Sequence, residues 1–359
     1  MLTALKLATK VVDNIGAQRL KGSWLSCYGG GGVVLSQDGT NTLTSRFPLQ
    51  GDFSVVVDPK HLGKVLSQLK DGVLTQDGNK LKITAGKRSV AISMMERDFS
   101  GSTVPECTWV LFNRERFLKT LEFVSSCTSR DTTRYHLWGM LLNFSPAGIE
   151  MVATNSHGVY RHVVASETGL AKAPFPTIAT KISSSSISVL TALLKSVKTT
   201  SIRFGIDMTG QGMPVVYCWS GDHVLEIKTE EVIFPKWESV VPELSAATCR
   251  FTVDVEDLVA ALKLCQATTD SVSTTWTVGE ALVVSADDRA GENLTEETVE
   301  IVGTSDSARF GINAAYVLAA LEGLEWSRVE VRCSEALDPV RFVDLNNPDY
   351  LAVIMPEHM

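Results

Sequence analysis

The sequence predicts an α+β protein of three similar domains, each built from two strand–helix–strand half-units. Two observations carry that expectation. A short alternating strand, then a small polar residue, then apolar residues four and eight positions later, is a pattern that recurs along the chain. Strand-like runs broken by Gly, Asp, Asn and Pro follow each copy. An Asp, Asn, Ser or Thr side chain accepts a hydrogen bond from an unpaired N–H at a helix start. Positions four and eight beyond it share one helix face. Each copy therefore reads as a half-buried strand feeding an amphipathic helix.

In order, MLTALKLATKVV opens the chain with Thr3 as the cap and Leu7 and Val11 on the apolar face. The run LSCYGGGGVVLSQDGTNTLTS after it has strand periodicity. FSVVVDPKHLGKVL alternates Phe53, Val55 and Val57, then caps at Asp58 ahead of Leu62 and Leu66, with strands in KLKITAGKRSVAISM. WVLFNRERFLKTL is a weaker copy with Asn113, Phe117 and Leu121, followed by GMLLNFSPAGIEMVATNSHGVYRHVV. TKISSSSISVLTALL reads with Ser185 as cap, then Val189 and Leu193, followed by SIRFGIDMTGQGMPVVYCWSGDHVLEIKTEEV. CRFTVDVEDLVAALKL has Phe251 and Val253, Asp254, Leu258 and Leu262, with strands in EALVVSADDRAGE and ETVEIVGTS. ARFGINAAYVLAALEGL has Phe310 and Ile312, Asn313, Val317 and Leu321, with strands in RVEVRCSEALDPVRFVD and YLAVIMP. Aperiodic, Pro-containing segments at 104–109 and 240–250 set the boundaries. The domains are then 1–106, 107–244 and 245–359, each of ordinary domain size.

Composition excludes several classes. With 44% hydrophobic and 21% charged residues over 359 positions, the chain is a globular one. No apolar run is long enough to span a bilayer, and the N-terminal run is too short and too mixed with Lys for a signal peptide. A cytoplasmic protein without membrane contact is expected. Cys27, Cys107, Cys127, Cys218, Cys249, Cys265 and Cys333 are odd in number and never form CxxC, which argues against a disulfide framework or a zinc site. A net charge of −8 argues against a protein that coats nucleic acid, unless its basic residues are gathered on one surface. Tyr28 and the glycines up to Gly32 lack the Gly-Lys-Ser/Thr of a phosphate loop and read as a hairpin tip. His157 and His162 have no third ligand nearby, and no Ser, Cys or carboxylate falls into a catalytic pattern. No metal, cofactor or catalytic residue is expected.

Three stretches carry a resemblance. DTTRYHLWGMLLNFSPAGIEMVATNSHGVYR resembles a segment of the bacterial beta sliding clamps around Thr-Arg-Tyr-x-Leu-x-Gly and Ala-Thr-Asp-Gly-His. IFPKWESVVP resembles the Phe-Pro-x-Tyr-x-x-Val-(Ile/Leu)-Pro that closes that family's middle domain, and YLAVIMPEHM resembles its terminal Tyr-x-x-Val-Met-Pro-Met. Order and spacing match from about residue 50 to the end. Asn155 and Ser156 replace the family's Asp and Gly, Gly158 replaces an Arg, and Glu357 stands where Met is common. The resemblance implies a DNA polymerase III beta subunit, a non-catalytic processivity factor. Two chains of its DNA clamp fold close head to tail into a ring, helices inside and sheets outside. The ring encircles double-stranded DNA and tethers the replicative polymerase. Polymerase and clamp loader attach through short peptide motifs.

Two surfaces follow. The helix at the chain start and those at 58–70, 113–125 and 185–198 sum to +1, +2, +1 and +2, whereas 254–266 and 313–326 each sum to −2. The DNA-facing candidates are Lys6, Lys10, Lys60, Lys64, Arg116, Lys119, Lys195 and Lys198, with Arg134 and Tyr135 added by the resemblance. The resemblance also implies a peptide cleft lined by Leu137, Thr154, His157, Val159, Pro235, Val240, Tyr316, Leu337, Val353, Met355 and Pro356. Without the family's Arg at Gly158, it should favour apolar over charged contacts. Edge strands at both ends of the chain require a covering partner, and Val90 and Ile92 are placed near one side of a homodimer interface. The rival readings are a clamp-like accessory peptide binder not used in replication, and an α+β hydrolase.

Overall fold

The structure, a computed structural model, describes every residue outside 17–20, 70–71, 100–103, 105, 130, 132, 168–176, 210–211, 232–233, 270–271, 288–293, 304–305, 323–326, 348 and 359. Lys70 and Glu325, which the sequence pattern puts on helix faces, lie outside the described residues.

Among the described residues, six α-helices begin within one residue of the positions the repeat gives. They are α1 (Leu2–Val12), α2 (Pro59–Gln68), α3 (Arg114–Ser125), α4 (Ser184–Ser196), α5 (Val255–Thr268) and α6 (Ala314–Glu322). The caps are built as the spacing demands. Asp58 accepts from the N–H groups of Lys60 and His61, and Asp254 from that of Glu256. Asn113 Oδ1 accepts from Glu115 and Arg116, and Asn313 Oδ1 from Ala315. The apolar residues assigned to the inner face, from Leu7 and Val11 through Val317 and Leu321, are all buried.

Three expectations are corrected. Thr3 lies inside α1, whose N-cap is Met1 and makes no side-chain cap bond. The cap of α4 is Ser183, not Ser185, and accepts from the N–H of Ser186. Four consecutive serines leave that choice to the strand before them, β12 (Ile178–Ile182). Because α4 stops at Ser196, Lys198 stands beyond its end.

The described chain divides into two compact units. The first comprises Met1–Leu118, Phe144–Ala147 and Ala165–Glu231. Its large sheet joins β4 (Phe53–Val57), β1 (Ser23–Tyr28), β2 (Gly31–Gln37), β3 (Asn41–Pro48), β15 (His223–Lys228), β14 (Val215–Ser220), β13 (Ser201–Asp207) and β8 (Val110–Asn113), in that order. Thus a half-unit from the chain start shares a sheet with one from residues 201–228, through Ser45 opposite His223 and Leu43 opposite Leu225. The glycine run is a two-residue hairpin turn. Gly29 and Gly30 have φ of 58° and 84°, a left-handed pair that glycine adopts without penalty. A smaller sheet holds β5 (Val73–Asp77), β6 (Lys80–Ala85) and β7 (Arg88–Ser93), with β7 at one edge. Ile92 is buried in the core with Leu62, Leu74 and Leu81, and Val90 packs against that cluster. Their side chains face inward, so what β7 offers to a partner is its free edge and Ser89, Ala91 and Ser93.

The second unit comprises Lys119–Asn143, Gly148–Val164 and Val232–Met359. Its main sheet runs β9 (Met140–Ser145), β10 (Gly148–Thr154), β11 (Gly158–Ala165), β24 (Leu351–Ile354), β23 (Val340–Val343), β22 (Arg328–Cys333), β16 (Cys249–Asp254) and β20 (Ile301–Val302). A four-stranded sheet orders β19 (Leu294–Val299), β18 (Leu282–Asp287), β17 (Ser273–Val278) and β21 (Ala308–Asn313), with β19 at one edge. The pairing that positions the site is β11 with β24, which sets Val159 opposite Val353 and Gly158 opposite Ile354. The chain's last strand thereby becomes the neighbour of residues almost two hundred positions earlier.

Candidate functional site

Where β11 meets β24, the second unit holds a cavity of about 440 Å³. Leu137, Thr154, Val159, Pro235, Val240, Val353 and Met355 line it, as expected. Its lining also includes Arg134, His136, Ser156, Gly158, Lys236 and Trp237. The four remaining cleft candidates lie outside that lining. His157 and Tyr316 stack on one another with ring centroids 5.8 Å apart. Pro356 follows Met355, and Leu337 is exposed.

The cavity floor is the ladder itself. Met355 N–H donates to His157 carbonyl O over 2.8 Å and extends the β11–β24 pairing by one step. Gly158 lets the two strands approach closely: in this backbone a Cβ would sit 2.9 Å from the carbonyl oxygen of Val353, so a larger residue would need the ladder to shift. Val159 packs with Leu141 and Val152, while Phe234 and Trp237 close over that cluster. The tail is tied down beyond Pro356. Glu357 N–H donates to Gly311 carbonyl O at 2.8 Å, and its carboxylate accepts from the Asn313 amide at 3.2 Å. The residue that departs from the clamp pattern at 357 is thus an anchor for the apolar end.

One rim is a tight polar turn. Asn155 Oδ1 accepts from the N–H groups of His157 and Gly158, and the Thr154 hydroxyl donates to Gly158 carbonyl O. Ser156 has φ of 74°, the one positive value at a non-glycine residue among those described. That conformation is unfavourable for an L-residue, and the clamp pattern has Gly at this place. Here the Ser156 hydroxyl accepts from the Arg134 guanidinium. Arg134 also faces Asp131 at 3.3 Å. The Thr133 hydroxyl and N–H hold the Asp131 carboxyl below its ordinary range, so it stays ionised beside Arg134.

The opposite wall is the helical turn Trp237–Val240, entered from Pro235. Two guanidinium groups fasten the chain beyond it. Arg341 donates to Pro242 carbonyl O at 3.0 Å and Arg332 to Leu244 carbonyl O at 2.8 Å. A second cavity of about 670 Å³ shares Val240 and Met355 with the first, but its lining includes Glu243, Glu335 and Asp338.

The DNA candidates stand in the open. Lys6, Lys10, Lys60, Lys64, Arg116, Lys119, Lys195, Lys198 and Tyr135 are all exposed. Arg134, also exposed, lines the cleft as well. His157 and His162 have separate partners. His162 is bonded to Thr120 and Asn347. Among the described residues no three His, Cys, Asp or Glu side chains gather to hold a metal ion.

No family model and no curated protein matches this sequence. Solved structures do, over the whole chain. The DNA polymerase sliding clamp of Bacillus subtilis has a TM-score of 0.87 at 15% identity, covering 100% of this chain and 97% of its own. The fold is that of the bacterial beta sliding clamps. The DNA polymerase III beta subunit of Thermotoga maritima matches at TM-score 0.84 and 17% identity, with the same coverage. A sliding clamp from Pseudomonas aeruginosa bound to griselimycin matches at TM-score 0.86 and 20% identity, again over 100% and 97%.

Proposed function

We propose that this chain is a sliding clamp: two copies close head to tail into a ring around duplex DNA and tether a polymerase for processive synthesis. The observation that carries the reading is agreement of fold with beta clamps along the full length, at TM-scores of 0.84–0.87. The three domains of that fold are then residues 1–106, 107–244 and 245–359. The protein itself is non-catalytic and cytoplasmic, and its basic helices face the DNA.

Edge chemistry supports closure. The free edge strand β7 begins at Arg88, and Lys80, Lys82 and Lys87 lie close by on the same small sheet and its turn. The free edge strand β19 carries Glu296 and Glu297, with Glu300 just after it. A basic edge and an acidic edge on different halves of one chain favour head-to-tail pairing between copies, and such contacts form a ring when the rotation between copies closes. Polymerase and clamp-loader segments would dock in the Val159–Val353 cleft, whose apolar lining suits one or two side-chain anchors. Light scattering should give a mass twice the 39.0 kDa of one chain, and electron micrographs should show rings. A single-chain mass at micromolar concentration would overturn the reading.

A further inference from the structure

Two of the scattered cysteines meet in the fold. Cys249 opens β16 and Cys333 closes β22, and the antiparallel register sets them directly opposite each other. Opposite residues of such a pair put their side chains on one face of the sheet. Both thiols are buried on the face that also buries Phe251, Val253, Val329 and Val331, and they are hydrogen-bonded to one another. Opposite Cα atoms in an antiparallel pair lie about 4.5–5.5 Å apart, within the roughly 4.4–6.8 Å that a disulfide spans. The strand end they occupy is thinly held. β20 reaches only Thr252 and Val253, so at Cys249 the ladder of β16 is to β22. The segment entering β16 hangs from the same end of β22, because Arg332 donates to Leu244 carbonyl O and the Ser334 hydroxyl to Ala246 carbonyl O. Cys333 also lines the cavity of about 670 Å³, where Glu243, Ala246, Glu335 and Asp338 are exposed. That cavity gives a small reagent a way to its sulfur.

We propose that Cys249 and Cys333 form a redox staple: a low-molecular-weight disulfide converts the dithiol to a cross-strand disulfide that locks the start of β16 onto β22. The Cys333 thiolate, on the cavity side, attacks one sulfur of the reagent and expels the other half as a thiolate, leaving a mixed disulfide. The Cys249 thiolate then attacks the Cys333 sulfur and expels the second half. Two protein thiols are oxidised to one cystine, the reagent is reduced to two thiols, and the two protons pass to the leaving thiolates. Burial pushes both cysteines above the ordinary thiol range, so they are protonated near neutral pH and exchange slowly. The pair therefore stays reduced through brief exposure and closes under sustained oxidation. The staple requires only the β16–β22 register, not a ring or a bound segment.

The test is disulfide mapping of the full-length protein. Reduced protein is incubated under native conditions with oxidised glutathione, remaining thiols are alkylated in denaturant, and tryptic peptides are read by mass spectrometry. Trypsin leaves the two cysteines on separate peptides, 237–250 and 333–341. These should be recovered joined, and dithiothreitol should part them. The joined form should melt about 5–10 °C higher, as for a disulfide that closes a long loop, and amide exchange over residues 244–250 should slow. Cys249→Ala should lose both the joined peptides and the shift. Should that variant not fold, the map of the unaltered protein still decides. Glutathione retained on Cys333 without joining, pairing of either cysteine with another, or recovery of both as free thiols would overturn the proposal. So would a joined pair whose melting point and exchange are unchanged.

Discussion

The helices of the two compact units differ in chemistry although they share one repeat. In the first unit, α1, α2 and α4 carry Lys6, Lys10, Lys60, Lys64 and Lys195 and not one carboxylate within their bounds. In the second, α5 carries Glu256 and Asp257 against Lys263, and α6 carries Glu322 alone. Their inner faces are alike: Leu62 and Leu258 sit four residues after Asp58 and Asp254 and are fully buried. The repeat thus fixes what each helix buries and leaves its outer face free to vary. A net charge of −8 conceals this contrast between α1, α2 and α4 on one side and α5 and α6 on the other. The first unit holds the helices that carry only cations, and the second holds the apolar cleft.

The comparison breaks first in the core. Leu62→Ala and Leu258→Ala should each cost about 2–5 kcal/mol in denaturant unfolding, since each deletes a fully buried side chain and leaves a void. Similar costs would affirm that the two half-units are built alike, and a loss below about 1 kcal/mol in either would refute it. Next comes the cleft. Removing residues 355–359 takes away Met355 and the Glu357 anchor. Each apolar anchor removed is worth roughly 1.5–3 kcal/mol. Calorimetry should therefore show peptide binding abolished, with the mass of the assembly unchanged.

The helix contrast itself is sharpened by charge reversal. Changing Lys6, Lys10, Lys60 and Lys64 to Glu should flatten the salt dependence of DNA association, by about 0.9 in the log–log slope for each phosphate no longer neutralised. The same reversal at Lys263 in the acidic α5 should change little. Equal effects would mean that both units meet the DNA alike.

A smaller effect is set by pH. Tyr160 and Tyr350, both in the second unit, donate to the carbonyl oxygens of Tyr316 and Ala320. Burial raises both hydroxyls well above their ordinary range near 10. A raised pKa contributes stability that is complete below the unfolded value and is lost as pH climbs past it. Unfolding free energy should fall above about pH 10, and less steeply in Tyr160→Phe. An unchanged slope in that variant would exclude Tyr160 as a cause. The smallest effect is expected at Ser156→Gly. Relief of the φ of 74° outweighs both the missing hydrogen bond from Arg134 and the added chain entropy, for a gain of about 0.5 kcal/mol. A decrease in stability would show that the bond from Arg134 dominates.

Local physics makes the helices readable. A cap and two apolar positions lie within nine residues, so Asp58, Asn113, Asp254 and Asn313 announce their helices without reference to the rest of the chain. Where capping is ambiguous, in the serines before α4, the expected cap is off by two. The cleft is another matter. Its apolar floor follows from resemblance, but the same resemblance puts Arg134 with DNA and leaves Lys236, His136 and Trp237 without a role. The floor itself depends on β11 pairing with β24, a contact across nearly two hundred residues with no local signal. Ile92 is expected at an interface because an edge strand is expected there. The strand is at an edge, but its alternation turns Ile92 into the core.

Topological retention on DNA tests the central claim most directly. The protein is loaded onto a nicked circular plasmid, washed in moderate salt, and then challenged by cutting the plasmid once. A ring that encircles duplex without gripping it should stay with the circle through the wash and leave as soon as ends are made. Equal retention on circular and linear DNA, or release from the intact circle at the same rate as from the cut one, would contradict the account.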